Sequence, residues 1–179
     1  MSDMLFDATI NFSTSKSHDS LRYSLTTAFP ITLVHVLILL AINYSIIIIK
    51  NEKNEYLQYY DKKWNCYLFL NSKMKNKEDM ESIYNKIKEM LNIEKEDVEI
   101  SFVSEKIHKK FSESDKIEKE YQHFFYKVNI LKNNEKFSKK EFEYINIKYK
   151  WFSFKEFEND ERIQKVNSDI IQFVKSFDI

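Results

Sequence analysis

Between Tyr23 and Ile49 the chain carries no Lys, Arg, Asp or Glu, although 31% of its 179 residues are charged. Phe29, Ile31, Leu33, Val34 and the run from Val36 to Leu40 leave no polar stripe of the kind a buried core helix would show. A helix crosses the roughly 30 Å hydrocarbon core of a bilayer with about 20 apolar residues. Each Leu or Ile favours insertion by about 0.3–0.6 kcal/mol, and the sum outweighs Thr32, His35 and Asn43. A secretory signal peptide would have a shorter apolar region, about 7–15 residues, ending at a small-residue cleavage site. Here Asn43-Tyr44-Ser45 runs instead into four isoleucines. The pattern predicts a polar tail over 1–22, a retained transmembrane helix over 23–43, and one domain over 44–179.

Lys50, Lys53, Lys62 and Lys63 follow the apolar run, so the positive-inside rule places the C-terminal domain in the cytoplasm, with a single crossing. His35 and Asn43 are the polar residues of the membrane segment. Such groups meet partners between helices or line a pore, and Asn43 falls where the helix reaches the interface. Equal numbers of basic and acidic residues, 28 of each, argue against general affinity for a nucleic-acid polymer. Cys66 is the one cysteine, which excludes an internal disulfide and a zinc site built on Cys pairs. The chain has no Gly. Phosphate-cradling loops and dinucleotide-binding turns need Gly for close backbone approach, so neither is present in its usual form. No cofactor is indicated. The abundance of Lys, Asn and Ile matches an AT-rich bacterial genome.

Beyond the apolar run, Tyr44–Lys50 and Glu55–Tyr60 predict two strands of a β-hairpin, with a turn over Asn51–Asn54. Trp64–Leu70 reads as a short extended segment. From Met80 to Ile93 the residues Met80, Ile83, Tyr84, Ile87 and Leu91 share a helical face, and Glu78 and Asp79 put acids near its start. Val98–Val103, Tyr121–Leu131 and Tyr144–Trp151 predict strands, and Ser104–Lys119 a charged loop. Phe154–Glu158 predicts a helical turn. Ile163, Val166, Ile170, Phe173, Val174 and Phe177 mark an amphipathic C-terminal helix. The order is α+β.

This order, with Trp151, Phe152, Glu156 and Phe157 ahead of the last helix, resembles a Nudix domain over residues 44–178. The resemblance implies an α/β/α sandwich with a mixed sheet. In active members of that family, carboxylates of the Nudix box hold magnesium at a diphosphate. Laid over Asn85–Ile93, the family's Arg and Glu become Asn85 and Lys86, its paired Glu residues become Glu89 and Met90, and its Gly becomes Asn92. Upstream, Asn71 replaces Gly and Lys77 replaces Glu, with Glu78 beside it. The apolar positions remain in Ile87 and Ile93. Lone Glu89 lacks the oxygen ligands that Mg²⁺ demands, so the expectation is no catalytic residue, no metal site and no enzyme.

A membrane helix joined to a degenerate Nudix domain resembles the SMODS-associated Nudix (TM-NUDIX) effectors of CBASS anti-phage defence. The resemblance implies a bacterial inner-membrane protein that senses a cyclic oligonucleotide made by a cognate cyclic-nucleotide synthase. Its membrane helices would then homo-oligomerise and disrupt the lipid bilayer. Aromatic faces for bases and cations for phosphates nominate Trp64, Tyr67, Lys73, Glu89, Tyr126 and Trp151 as ligand-binding residues. Phe124, Tyr149, Lys62 and Lys63 stand behind them, and core packing is the competing role for each ring. His108 and His123 have no partner at metal-ligand spacing. Two other functions stay open: a membrane-tethered Nudix hydrolase of nucleoside diphosphate derivatives using Glu78 or Glu81 beside Glu89, and a membrane-anchored protein-binding scaffold.

Overall fold

The computed structural model describes residues 42–112, 116–132 and 134–177. The expected polar tail, His35 and the expected membrane segment up to residue 41 lie outside the described residues. Among the described residues no helix is long and apolar enough to cross a membrane.

The four isoleucines organise the fold. They close β1 (Ile42–Ile49), and all four are buried. A strand alternates its side chains, so Ile47 and Ile49 enter one core and Ile46 and Ile48 the other. Such a strand needs cover on both faces. β1 takes an inner place in a mixed sheet of order β4-β1-β6-β5, antiparallel to β4 (Leu70–Lys73) and parallel to β6 (Ile117–Ile130), with β5 (Val98–Ser112) outermost.

A second, antiparallel sheet has the order β3-β2-β8-β7, from β2 (Tyr56–Asp61), β3 (Cys66–Leu68), β7 (Glu141–Tyr144) and β8 (Ile147–Phe152). Helix α1 (Met80–Leu91) covers one face through Ile83, Ile87, Met90 and Leu91. Helices α2 (Phe154–Asn159) and α3 (Glu161–Ser176) cover the other through Phe157, Ile163, Ile170, Ile171 and Val174. The α/β/α sandwich with a mixed sheet is therefore as expected.

Three expectations need correction. Asn43 does not end a helix: it is the second residue of β1, pairs with Gln122, and its amide donates to the Lys75 carbonyl at 3.0 Å. β1 and β2 do not form a ladder; one bridge, Lys50 to Tyr56, links them before they enter different sheets. β4 and β6 already occupy both edges of β1. The turn itself is as expected, with Asn51 Oδ1 accepting from the Lys53 and Glu55 amides at 2.9 Å each.

The supposed loop over Ser104–Lys119 is mostly strand, because β5 and β6 extend into a long hairpin arm whose register reaches Ser112 and Ile117. Its charges hid it. On one face Lys106 and Lys110 cover α3, donating to the carbonyls of Asp169 at 3.3 Å and Val166 at 3.1 Å. Those carbonyls flank Asn167, where non-helical dihedrals kink α3.

With no Gly, Asn supplies most of the left-handed positions among the described residues: Asn54, Asn65, Asn92 and Asn146. Asn is the non-glycine residue that tolerates this region best. Asn92 closes α1 at φ 50°, its N–H donating to the Lys88 carbonyl. The two-residue loop between β7 and β8 needs positive φ twice, and Ile145 occupies its first position at φ 50° with its side chain 61% exposed. A β-branched residue is strained there. Ile145→Asn should raise the unfolding free energy by about 1 kcal/mol, read as a higher urea midpoint. A midpoint equal to or below that of the parent would contradict the strain.

Candidate functional site

Helix α1 presents two faces. Asp79 caps it, accepting from the Ser82 amide at 3.4 Å and the Ser82 hydroxyl at 2.8 Å. Its last carbonyls are met by side chains, Met90 by the Tyr149 hydroxyl at 2.7 Å and Leu91 by the Lys136 ammonium. With the apolar stripe buried, Ser82, Asn85, Lys86 and Glu89 form the opposite stripe at spacings of three and four residues. Together with Asn71, Ser72 and Lys73 of β4 they line a cleft of ≈ 340 Å³. No aromatic ring lines it.

The cleft is polar and cationic. Lys86 Nζ lies 3.2 Å from Glu89 Oε2, which neutralises its one carboxylate. Lys73 forms no ion pair with a described residue. Asn71 is held by its amide, which donates to the Phe69 carbonyl at 3.0 Å. Amides, hydroxyls and two ammonium groups suit an oxyanion.

They do not suit a divalent cation, which needs several oxygen ligands of which carboxylates carry the charge. Among the described residues no group of three His, Cys, Asp or Glu stands where it could hold a metal. Glu78 and Glu81, the acids a rearranged hydrolase would recruit, lie 4.0 Å from Lys77 and 3.9 Å from Lys95 and do not line the cleft.

The nominated residues divide. Lys73 and Glu89 meet in this cleft. Tyr67 and Lys62 line a different one, at the outer end of the second sheet. Trp64 is 46% exposed in the β2–β3 turn, where Arg162 Nε donates to its carbonyl at 3.2 Å. Lys63 is exposed in the same turn. Tyr126 and Trp151 are 1% and 3% exposed and offer no ring face to a ligand, which removes them from the candidates. Phe124 and Tyr149 are core residues too, Tyr149 stacking on Phe142 at 4.9 Å.

Glu156 closes a capping box with Ser153 at the start of α2 and accepts from Lys140 at 2.7 Å. Burial pushes its carboxyl up, but the bonds from Lys140 and Ser153 outweigh it and hold the group at about 2. His108 and His123 do find a neighbour, each other, at 4.8 Å between ring centroids. Asp169 Oδ2 is 3.5 Å from His108 Nδ1.

Sequence reasoning missed Ser72 and Ser82 in the α1 cleft and Tyr60, Glu143 and Lys148 in the other. The polar spacing along α1 was available as a signal for Ser82; nothing local marked the rest.

No protein-family model matches the chain, and no curated protein does. Solved structures with a similar backbone trace include an Ap4A hydrolase from C. elegans, 15% identical, spanning 76% of this chain and 98% of its own, with a TM-score of 0.48. A Nudix hydrolase from Nitrosomonas europaea is 13% identical over 75% of this chain and 86% of its own, with a TM-score of 0.47. A Nudix-family hydrolase from Clostridium perfringens is 14% identical over 76% and 94%, with a TM-score of 0.46.

Proposed function

We propose that residues 42–177 are a Nudix-like domain that binds a phosphorylated nucleotide in the α1 cleft without hydrolysing it. One observation carries the reading: Lys86 stands where the Nudix box has an acid, and it pairs with Glu89, the one carboxylate left. A site that has exchanged metal ligands for ammonium groups keeps affinity for phosphate and gives up the Lewis acid that activates it. The further reading follows the TM-NUDIX resemblance. The ligand is a cyclic oligonucleotide made by a partner synthase during phage infection. The apolar segment ahead of β1, over 23–41, anchors the chain in the inner membrane, with the domain in the cytoplasm, and bound chains homo-oligomerise to disrupt the bilayer.

Calorimetry of the full-length chain in detergent micelles, against a panel of cyclic di- and trinucleotides, tests the ligand. Binding of one member, weakened about tenfold or more in the Lys73→Gln/Lys86→Gln variant, is the expected result. No heat from any member would overturn the sensor reading. With Mg²⁺ and nucleoside diphosphate derivatives the expected turnover is none. Turnover that Glu89→Gln abolishes would make the protein a hydrolase instead.

A further inference from the structure

The second cleft has a chemistry that the α1 cleft lacks. It measures ≈ 670 Å³ and is lined by Tyr60, Lys62, Tyr67, Glu143, Asn146 and Lys148. That volume lies in the range of small-molecule sites. Tyr60 and Tyr67 are cross-strand partners with ring centroids 5.2 Å apart at 68°. Both rings are fixed. Tyr67 packs on Phe152 at 5.1 Å, and the Tyr60 hydroxyl donates to Asn65 Oδ1. Aromatic groups already locked in place lose little freedom when a ligand arrives.

The cations are placed by the same register. Tyr59 pairs with Tyr149, which sets Lys148 beside Tyr60, and Lys62 follows directly after β2. Neighbouring Lys150 is neutralised by Glu141 at 2.9 Å. Lys62 and Lys148 form no ion pair with any described residue. Lys62 and Lys148 therefore flank a rigid aromatic wall, with Glu143 opposite Lys148 in the β7–β8 register. Glu143, the one acid, is an acceptor suited to sugar hydroxyls. Asn146 supplies an amide from the tight loop that ends β7.

We propose that this cleft is a nucleoside monophosphate site, separate from the α1 cleft. The base lies against Tyr60 and Tyr67, the phosphate between Lys62 and Lys148, and the ribose hydroxyls donate to Glu143. Stacking supplies preference for a base, and the ammonium pair supplies preference for its phosphate. The α1 cleft, with no ring in its lining, offers phosphate contacts alone.

Calorimetric titration of the full-length chain in detergent micelles with AMP, ribose 5-phosphate and adenosine separates the two contributions. AMP should bind about tenfold or more tightly than either fragment. Lys62→Gln/Lys148→Gln, at two exposed positions, should weaken AMP about tenfold, while Lys73→Gln/Lys86→Gln should leave it unchanged. No heat from AMP, equal affinity for ribose 5-phosphate, or indifference to the Lys62/Lys148 pair would overturn the proposal. So would loss of AMP binding in the Lys73/Lys86 variant alone. Cyclic oligonucleotide binding reports on the other cleft through Lys73 and Lys86, so either reading fails without the other.

Discussion

Phe157→Ala should lower the unfolding free energy by about 3–5 kcal/mol, the range for emptying a phenylalanine site in a packed core. Phe157 is fully buried. It stacks on Phe152 at 5.2 Å and 10°, and its ring centroid lies 6.0 Å from Phe69, 6.3 Å from Tyr56 and 6.1 Å from Phe154. Its cluster joins α2 and α3 to both sheets, through Ile46, Ile48 and Phe125 of the mixed sheet and Tyr56, Cys66 and Phe152 of the antiparallel one. Surrounding rings collapse poorly into a gap, so the cavity term adds to the lost transfer energy. A typical domain has about 5–15 kcal/mol in all, so a substantial share of its stability rests here. Urea unfolding followed by circular dichroism should give a lower midpoint at unchanged slope. A loss under about 1 kcal/mol would mean that the helices dock by other contacts.

Acid should destabilise the domain well above the carboxylate range. His123 lies on β6 with Tyr44, His108, Tyr121 and Phe125 around it. Burial first, then the neighbouring His108, hold its imidazole at about 4, and Lys106 and Lys110 add to the depression against the pull of Asp169. His108 is lowered as well, chiefly by burial.

An imidazole in the unfolded chain takes up its proton near 6.5. Between that value and about 4 the unfolded state binds the proton and the folded state does not, so stability falls as pH falls. The full contribution is present above pH 6.5, and its loss for His123 amounts to about 3 kcal/mol. Glu156, held at about 2, acts in the same direction only below the ordinary carboxylate value. The interval from pH 6.5 to 4.5 therefore isolates the histidines. Urea midpoints across it should decline steeply in the parent and much less in His123→Phe. An equal decline in both would remove His123 as the cause.

The elements that local pattern announces are the ones recovered from sequence. The apolar stripes of α1 and α3, the Asn51 turn, and the short helix that Ser153 and Glu156 cap each depend on residues within a few positions of one another. The missed arm shows the limit. On β5, Lys106 and Lys110 reach carbonyls of α3 some sixty residues away, so their spacing has no local meaning. Aromatic residues defeated assignment for the same reason. Tyr67 and Tyr126 are both strand tyrosines, and only the helices laid over each sheet decide that one borders a cleft and the other is core.

The sequence by itself determined the β-branched run that suits β1 to burial, the absence of Gly, and the apolar stripe of α1. Tertiary structure alone decided which strands flank β1, that the polar stripe of α1 faces β4, and that two separate clefts exist among the described residues. Periodicity and residue chemistry are properties of short stretches of chain. Sheet partnership and clefts arise where distant stretches bury their apolar faces against one another.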